Sequence, residues 1–277
     1  MPLASTDHYE NFPVGSLLLP RRLRQPIADI YRYARSADDI ADEGDADGDS
    51  RLAQLDNYRE ELHRIAAGIP PKSELFASLD GTINEHALPI ALFHDLLDAF
   101  SQDVVKKRYT DFVELMDYCR RSANPIGRLL LHLFKQPSAQ NLLWSDAICS
   151  SLQLINFCQD VAVDWRKRRL YLPLDEMAAH GVTEAHIATG QVDARWQRLM
   201  RFQSERAGAM LRSGAPLGSA LPGRMGIEVR AIVAGGAAIL AKIDAVDGDV
   251  FRRRPTLHFT DWPFIFARAI FPPRQST

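Results

Sequence analysis

The 277-residue sequence holds only three cysteines, Cys119, Cys149 and Cys158, and no Cys-x-x-Cys pair. That count and spacing exclude a disulfide framework and a structural zinc site, and they suit a reducing cytoplasm. Neither sign of charge dominates, with 33 Lys and Arg against 35 Asp and Glu. Dedicated nucleic-acid binders carry a basic excess, so none is expected here. Long apolar runs are missing too. The longest uncharged one, 231–241, has 11 residues, short of the about 20 that a membrane span needs. Met1 to His8 are polar and lack the apolar core of a signal peptide. No His-Glu-x-x-His, P-loop, Gly-x-Ser-x-Gly elbow or Gly-x-Gly-x-x-Gly turn occurs. Alternating apolar and polar runs of strand length are absent as well.

What remains is helical periodicity. Ile27, Ile30, Tyr31, Ala34, Ala37 and Ala41 recur on one face, and Leu52, Leu55, Tyr58, Leu62 and Ile65 on another. The same period predicts helices over 74–88, 89–106, 110–134, 139–165, 193–213 and 224–246. Pro20 and Pro26 bracket the first helix start, 44–50 form an acidic loop, and 166–192 read as irregular. No linker composition interrupts the chain, so a single all-α domain over 1–277 is expected. The apolar, aromatic tail 262–271, interrupted by Arg268, reads as a packed or interfacial helix, which leaves peripheral contact with a membrane face open.

Two acidic segments carry the chemistry. In Arg35-Ser-Ala-Asp38-Asp39-Ile-Ala-Asp42, Asp38 and Asp42 lie one helical turn apart, about 6 Å along the axis. Like charges so placed, at a helix C-terminus that already repels them, call for a cation. Gln153, Asn156, Asp160 and Asp164 repeat the theme as a polar stripe on an otherwise apolar helix. Buried carboxylates must be paired or metal-bound. Mg²⁺ suits one or two carboxylates completed by water and substrate phosphate. Other readings stay open. The first segment could be a solvated acidic loop, and the stripe could pair with arginines of another helix. Asp45-x-Asp47-x-Asp49 starts like a calcium loop, although Ser50 and Asp56 occupy its Gly and Glu positions. Arg166-Lys-Arg-Arg169 could serve a helical nucleic-acid binder.

Together these segments resemble the squalene and phytoene synthases, all-α class I isoprenoid synthases. Asp103-x-x-x-x-Arg108-Tyr109 and Arg169-Leu-Tyr171-Leu-Pro match two further elements of that family, and the likeness runs from about residue 8 to Arg253-Arg254-Pro255. Glu10 to Pro20 and Tyr118-Cys-Arg-Arg-Ser-Ala-Asn-Pro-Ile-Gly127 look like its bacterial hydroxysqualene synthase branch, linked to squalene and hopanoid formation. Arg120 stands where the broader family has an aromatic, and Asn124-Pro125 replace a Gly and its neighbour. The phosphate-binding Ser-x-Ser appears as Tyr9-Glu10-Asn11. These departures suit an enzyme that takes presqualene diphosphate, rather than two prenyl diphosphates, as substrate.

The resemblance implies a helical bundle around a central active-site cavity. It implies Mg²⁺ held by Asp38, Asp39, Asp42, Asn156, Asp160 and Asp164, with no NADPH. Arg35, Gln153, Lys106, Arg108 and Arg169 would contact diphosphate. Tyr31, Tyr109 and Tyr171 would line the substrate. Asn124 and Arg120 would position the water that captures a carbocation to give hydroxysqualene. Coupling is implied to a presqualene diphosphate synthase upstream and a squalene-forming oxidoreductase downstream. Head-to-head condensation of two prenyl diphosphates, to presqualene diphosphate, squalene or phytoene, is the alternative on the same fold. A non-catalytic calcium-binding helical protein is the alternative of another class.

Overall fold

The computed structural model describes residues 20–271. The stretch Glu10 to Leu19, with Tyr9-Glu10-Asn11, therefore lies outside the described residues. Among the described residues the only regular structure is helical, apart from one isolated parallel bridge between Arg108 and Leu170. The first four helices are α1 (Arg21–Asp42), α2 (Gly48–Ala66), α3 (Glu74–His86) and α4 (Ile90–Val105). Next come α5 (Phe112–Ser122), α6 (Asn124–Leu133), α7 (Ala139–Gln159) and α8 (Val161–Arg166). Two short helices, α9 (Leu174–Ala179) and α10 (Glu184–Thr189), precede α11 (Ala194–Gly214). The chain continues through α12 (Leu217–Ala220), α13 (Gly223–Ala245) and α14 (Trp262–Ile270).

Local chemistry starts these helices where the sequence signals them. Asp47, Ser73, Asp111, Ser138 and Asp193 are N-caps whose side chains accept backbone N–H bonds from the first turn. Asp47 in particular accepts from Ser50 N–H at 2.8 Å, so the would-be calcium loop is a helix cap. Four sequence expectations need correction. Pro26 lies inside α1 rather than at its boundary. The span 110–134 is two helices, broken at Ala123 because Pro125 can enter a helix only in its first turn. The span 139–165 breaks at Asp160, whose backbone (φ −107°, ψ 15°) leaves the helical region. The span 166–192, expected to be irregular, contains α9 and α10.

Two apolar clusters divide the molecule. One is built from α1 to α4 with α6 and includes Tyr33, Leu55, Phe76, Phe93 and Leu129. The other is built around α7, α11 and α13 and includes Phe157, Cys158, Trp196, Leu211 and Ile239. The first acidic segment sits at the end of α1 in one half, and the second at the α7–α8 junction in the other. The fold thus brings to a seam between two cores residues more than a hundred positions apart. The three cysteines are unpaired.

Close approach of α11 to α7 fixes the larger half. A Cβ on Gly214 would come 2.6 Å from the Trp144 carbonyl oxygen and 3.0 Å from the Ile148 backbone nitrogen. Neither backbone atom can rotate away. Gly214→Val is expected to lower stability by about 1–3 kcal/mol, read as a shifted urea midpoint at unchanged m-value.

Candidate active site

Arg169 is the centre of the site. Arg168 adopts φ +61°, an uncommon conformation for a residue with a Cβ. That turn reverses the chain after α8, and the Leu170 N–H bond to the Lys107 carbonyl (3.0 Å) ties the return to the stretch after α4. The Arg169 side chain is thereby buried and directed at α1. Its guanidinium makes a two-pronged ion pair with Asp42, with Nη1 at 2.9 Å from Oδ2. Nη2 also lies 3.4 Å from the Asp103 carbonyl. Lys167 Nζ donates to the same Asp42 at 3.1 Å. Planar guanidinium and carboxylate pair well in this fork geometry.

Asp42 is therefore the neutralised member of the first segment. Burial alone would raise its carboxyl pKa. The hydrogen bond and charge of Arg169, with the charge of Lys167, outweigh burial and hold it below the usual range. Asp38 behaves oppositely. Burial first, then the negative charges of Asp42 and Asp103, push it up to about 7 against the opposing pull of Arg35. Arg35 is instead spent mainly on Asp39, at 2.5 Å, and reaches Asp38 only at 3.4 Å. Asp39 is 45% exposed, on the outer side of that pair.

The second segment shows the same division. Arg254 clamps Asp160 with Nε at 2.5 Å and Nη2 at 3.1 Å from its two oxygens. Asp164 carries no such clamp. Burial, followed by the charge of Asp160, raises it to about 8, although Arg169 and Lys167 oppose the shift and Asp42 adds to it. Lys167 and Arg169, which follow Asp164 directly in the chain, both bond Asp42 of α1, so the two segments face each other across the seam.

Behind the carboxylates stands an aromatic wall. The Tyr171 ring stacks on Phe157 at 4.0 Å between centroids and 6° between planes. Tyr109 stacks on Tyr171 at 5.5 Å, and Tyr118 lies 5.6 Å from it. The Tyr171 and Tyr118 hydroxyls donate to the two oxygens of buried Asp103, at 3.0 and 2.6 Å. Burial raises the Asp103 carboxyl, and Arg169 with the two phenols partly reverses the shift. Asn124, buried at the start of α6, accepts a hydrogen bond from Ser150 at 2.8 Å. Tyr31 is half-buried one turn before Arg35, and Gln153 and Asn156 are half-buried on α7 among buried Leu154, Ile155 and Phe157.

Three sequence candidates are placed elsewhere. Arg108 uses its guanidinium on Glu184 (2.7 and 3.0 Å) and on the carbonyls of Lys107 and Arg168, and it stacks near Trp165. It ties loops together instead of presenting a free cation. Lys106 is bonded to Glu114 and lies over the Tyr109 ring. Arg120 is 53% exposed and pairs with Asp117, which removes it from any role beside Asn124. The basic run 166–169 is split as well. Lys167 and Arg169 face Asp42 while Arg166 and Arg168 are exposed, so the run is no continuous nucleic-acid surface. Sequence reasoning missed Asp103, Tyr118, Lys167 and Arg254 as site residues. Asp103 and Tyr118 sat inside matched motifs, whereas nothing local marked Arg254 as the partner of Asp160.

Among the described residues no three His, Cys, Asp or Glu side chains form a ready metal cage. The donor set nonetheless fits Mg²⁺, which takes one or two carboxylates and fills its shell with water and phosphate oxygens. Two carboxylates whose pKa values are raised by burial and mutual repulsion are those that a divalent cation would relieve.

The sign of these shifts sets a pH dependence of stability. An unfolded Asp ionises near pH 3.9, while folded Asp164 holds its proton until about pH 8. Between these values the folded state binds more protons, so stability falls as pH rises. Without divalent cation, Asp164→Asn is expected to melt higher than the parent at pH 8, with the difference shrinking toward pH 4 in thermal scans.

The chain matches the squalene/phytoene synthase family over residues 5–261. A hydroxysqualene synthase of Zymomonas mobilis is 35% identical over 229 residues, covering 80% of this chain and 75% of that one. A phytoene synthase of Arthrospira platensis is 34% identical over 216 residues, covering 73% and 69%. Among solved structures, squalene synthase HpnC from Alicyclobacillus acidocaldarius superimposes with a TM-score of 0.81 at 36% identity, covering 87% of this chain and 90% of that one. The architecture is the all-α fold of squalene-synthase-type terpenoid synthases. With both acidic segments, the Asp103 element and the Arg169 element gathered at one seam, the chain belongs to the squalene and phytoene synthase family.

Proposed function

We propose that this enzyme ionises presqualene diphosphate and directs water capture to give hydroxysqualene and diphosphate. The observation that carries the reading is that Lys167 and Arg169, just after Asp164, both bond Asp42 of the first segment, so the two acidic segments meet at one seam beside an aromatic wall. The likeness to hydroxysqualene synthases supports the choice of substrate. Mg²⁺, held by Asp38, Asp42, Asp160, Asp164 and Asn156, would supply Lewis-acid stabilisation of the departing diphosphate.

The residues of the chain do the rest. Arg35, Lys167 and Arg169 offer positive charge to the diphosphate, and a guanidinium matches phosphate oxygens in the same fork that it now offers Asp42. The carbon–oxygen bond breaks and its electron pair leaves with the diphosphate. The remaining cyclopropylcarbinyl cation would be sheltered beside the aromatic wall of Tyr171, Tyr109, Tyr118 and Phe157, whose ring quadrupoles favour positive charge. The phenols of Tyr171 and Tyr118 point their protons at Asp103, so those protons do not oppose a cation at the wall. After rearrangement, a water oxygen forms the new bond and loses one proton. Asn124, its oxygen already accepting from Ser150, keeps its amide N–H pair for orienting that water.

Similarity to phytoene synthases supports a second reading, condensation of two prenyl diphosphates on the same site. Product analysis separates the two. Purified enzyme with Mg²⁺ and presqualene diphosphate, without NADPH, is expected to form hydroxysqualene by mass spectrometry and to leave farnesyl diphosphate unconverted. Turnover of farnesyl diphosphate to presqualene diphosphate would assign the preceding step instead. Asp38→Ala and Asp160→Ala are each expected to cut turnover by about 10²-fold or more, the scale for removing one electrostatic stabiliser of developing charge, and chelation by EDTA to abolish it. Asn124→Ala is expected to lower the share of alcohol product relative to elimination products. An unchanged hydroxysqualene yield and rate would remove Asn124 from water positioning.

A further inference from the structure

Apart from Arg268, the helix α14 carries only apolar side chains. Its inner face packs on α13 through buried Ile265 and Ala269, with Arg230 Nε donating to the Ala269 carbonyl at 2.5 Å. A helix of this composition is ordinarily enclosed by protein. Here the outer face is bare. Phe264 is 74% exposed, Phe271 77% and Ile270 54%, while Phe266 lies beside them and Phe259, just before the helix, is 87% exposed. Together they form the largest run of exposed apolar side chains among the described residues. Exposed apolar patches of this kind mark surfaces that are covered in use.

The charges around the patch indicate what covers it. Arg268 is exposed on the edge of α14, and Arg252 and Arg253 are about two-thirds exposed on the segment leading to it. The carboxylates nearby are already engaged. Asp261 is bonded to Lys242 at 2.6 Å, and Asp249, 11% exposed, is shared by Arg252 and Arg253. The helix therefore presents aromatic rings with Arg268 beside them, and the segment 250–271 carries no exposed carboxylate. Two copies meeting on this face would oppose arginine to arginine across a two-fold axis. An anionic bilayer supplies both an apolar layer for the rings and negative headgroups for the arginines. Phe and Leu are the side chains that interfacial helices bury at that boundary. No helix among the described residues is long or apolar enough to cross the membrane, so contact would be parallel to its surface.

We infer that the α14 face, carried by Phe259, Phe264, Phe266, Ile270 and Phe271 with Arg268 at its edge, docks the enzyme on an anionic lipid surface. The docking face is separate from the acidic seam, and vesicle binding needs no substrate, so either reading can fail without the other. The test is co-sedimentation of the full chain with vesicles of phosphatidylcholine alone or mixed with phosphatidylglycerol. Binding is expected to the mixed vesicles, weakened by salt. Phe264→Glu with Phe271→Glu should reduce it about tenfold or more while melting temperature and turnover of detergent-dispersed substrate stay unchanged. Arg268→Gln should reduce it about fivefold on the mixed vesicles only. Three results would overturn the inference: no binding by the full chain to mixed vesicles, equal binding by the double-glutamate variant, or a parent dimer in light scattering that the same substitutions dissociate.

Discussion

Everything at the seam depends on the Arg169 guanidinium. It is a buried cation contributed by one half of the molecule, and its principal partner, Asp42, comes from the other. Without that charge the seam would hold Asp42, Asp103 and Asp164 in mutual repulsion inside a poorly hydrated space. Removing one partner of a buried ion pair costs about 3–5 kcal/mol, because the charge left behind is uncompensated. The arginine does not act alone in the backbone either. Its position follows from the left-handed turn at Arg168 and from the ladder-like bonds that join 107–110 to 170–175. Arg108, fully engaged with Glu184 and two carbonyls, holds that ladder in place from outside.

The carboxylates divide into two that are neutralised and two that are not. Asp42 and Asp160 are each gripped by an arginine in fork geometry, while Asp38 and Asp164 keep raised pKa values from burial and like-charge neighbours. The asymmetry leaves the site two carboxyl groups that hold their protons to about pH 7 and 8 and that a cation would help to ionise. A divalent cation that displaces those protons would need no closed cage of protein ligands, since water and phosphate oxygens can complete its shell.

Asp103 links the charged and apolar sides. Its carboxyl oxygens accept a hydrogen bond from each phenol, which fixes the Tyr118 and Tyr171 rings in the stack with Phe157 and Tyr109. Neither tyrosine could be buried so fully without a partner for its hydroxyl. The fold thus sets a wall of stacked aromatic rings directly beside the charged seam.

The helical class, most helix spans and the residue types of the site were legible in the sequence, because periodicity, capping residues and the Asp-x-x-x-Asp spacing are local properties of the chain. The resemblance to a family extended this to Arg35, Tyr171 and Arg169. Breaks within the helices were less legible. Pro125 marked one only weakly, and the unwinding at Asp160 has no local signature, since a carboxylate that bends the backbone reads like one that continues a stripe. Partner choice could not be read at all. That Arg169 reaches Asp42 whereas Arg108 reaches Glu184, that Arg254 clamps Asp160, and that Asp103 receives two tyrosines are facts of long-range packing. Arginines are alike to a linear reading. Composition and period alone determine that this chain forms an amphipathic helical bundle with two carboxylate pairs. Which cation meets which carboxylate, and therefore which carboxyl groups are left without one and hold their protons, was decided only when two separate cores closed on a common seam.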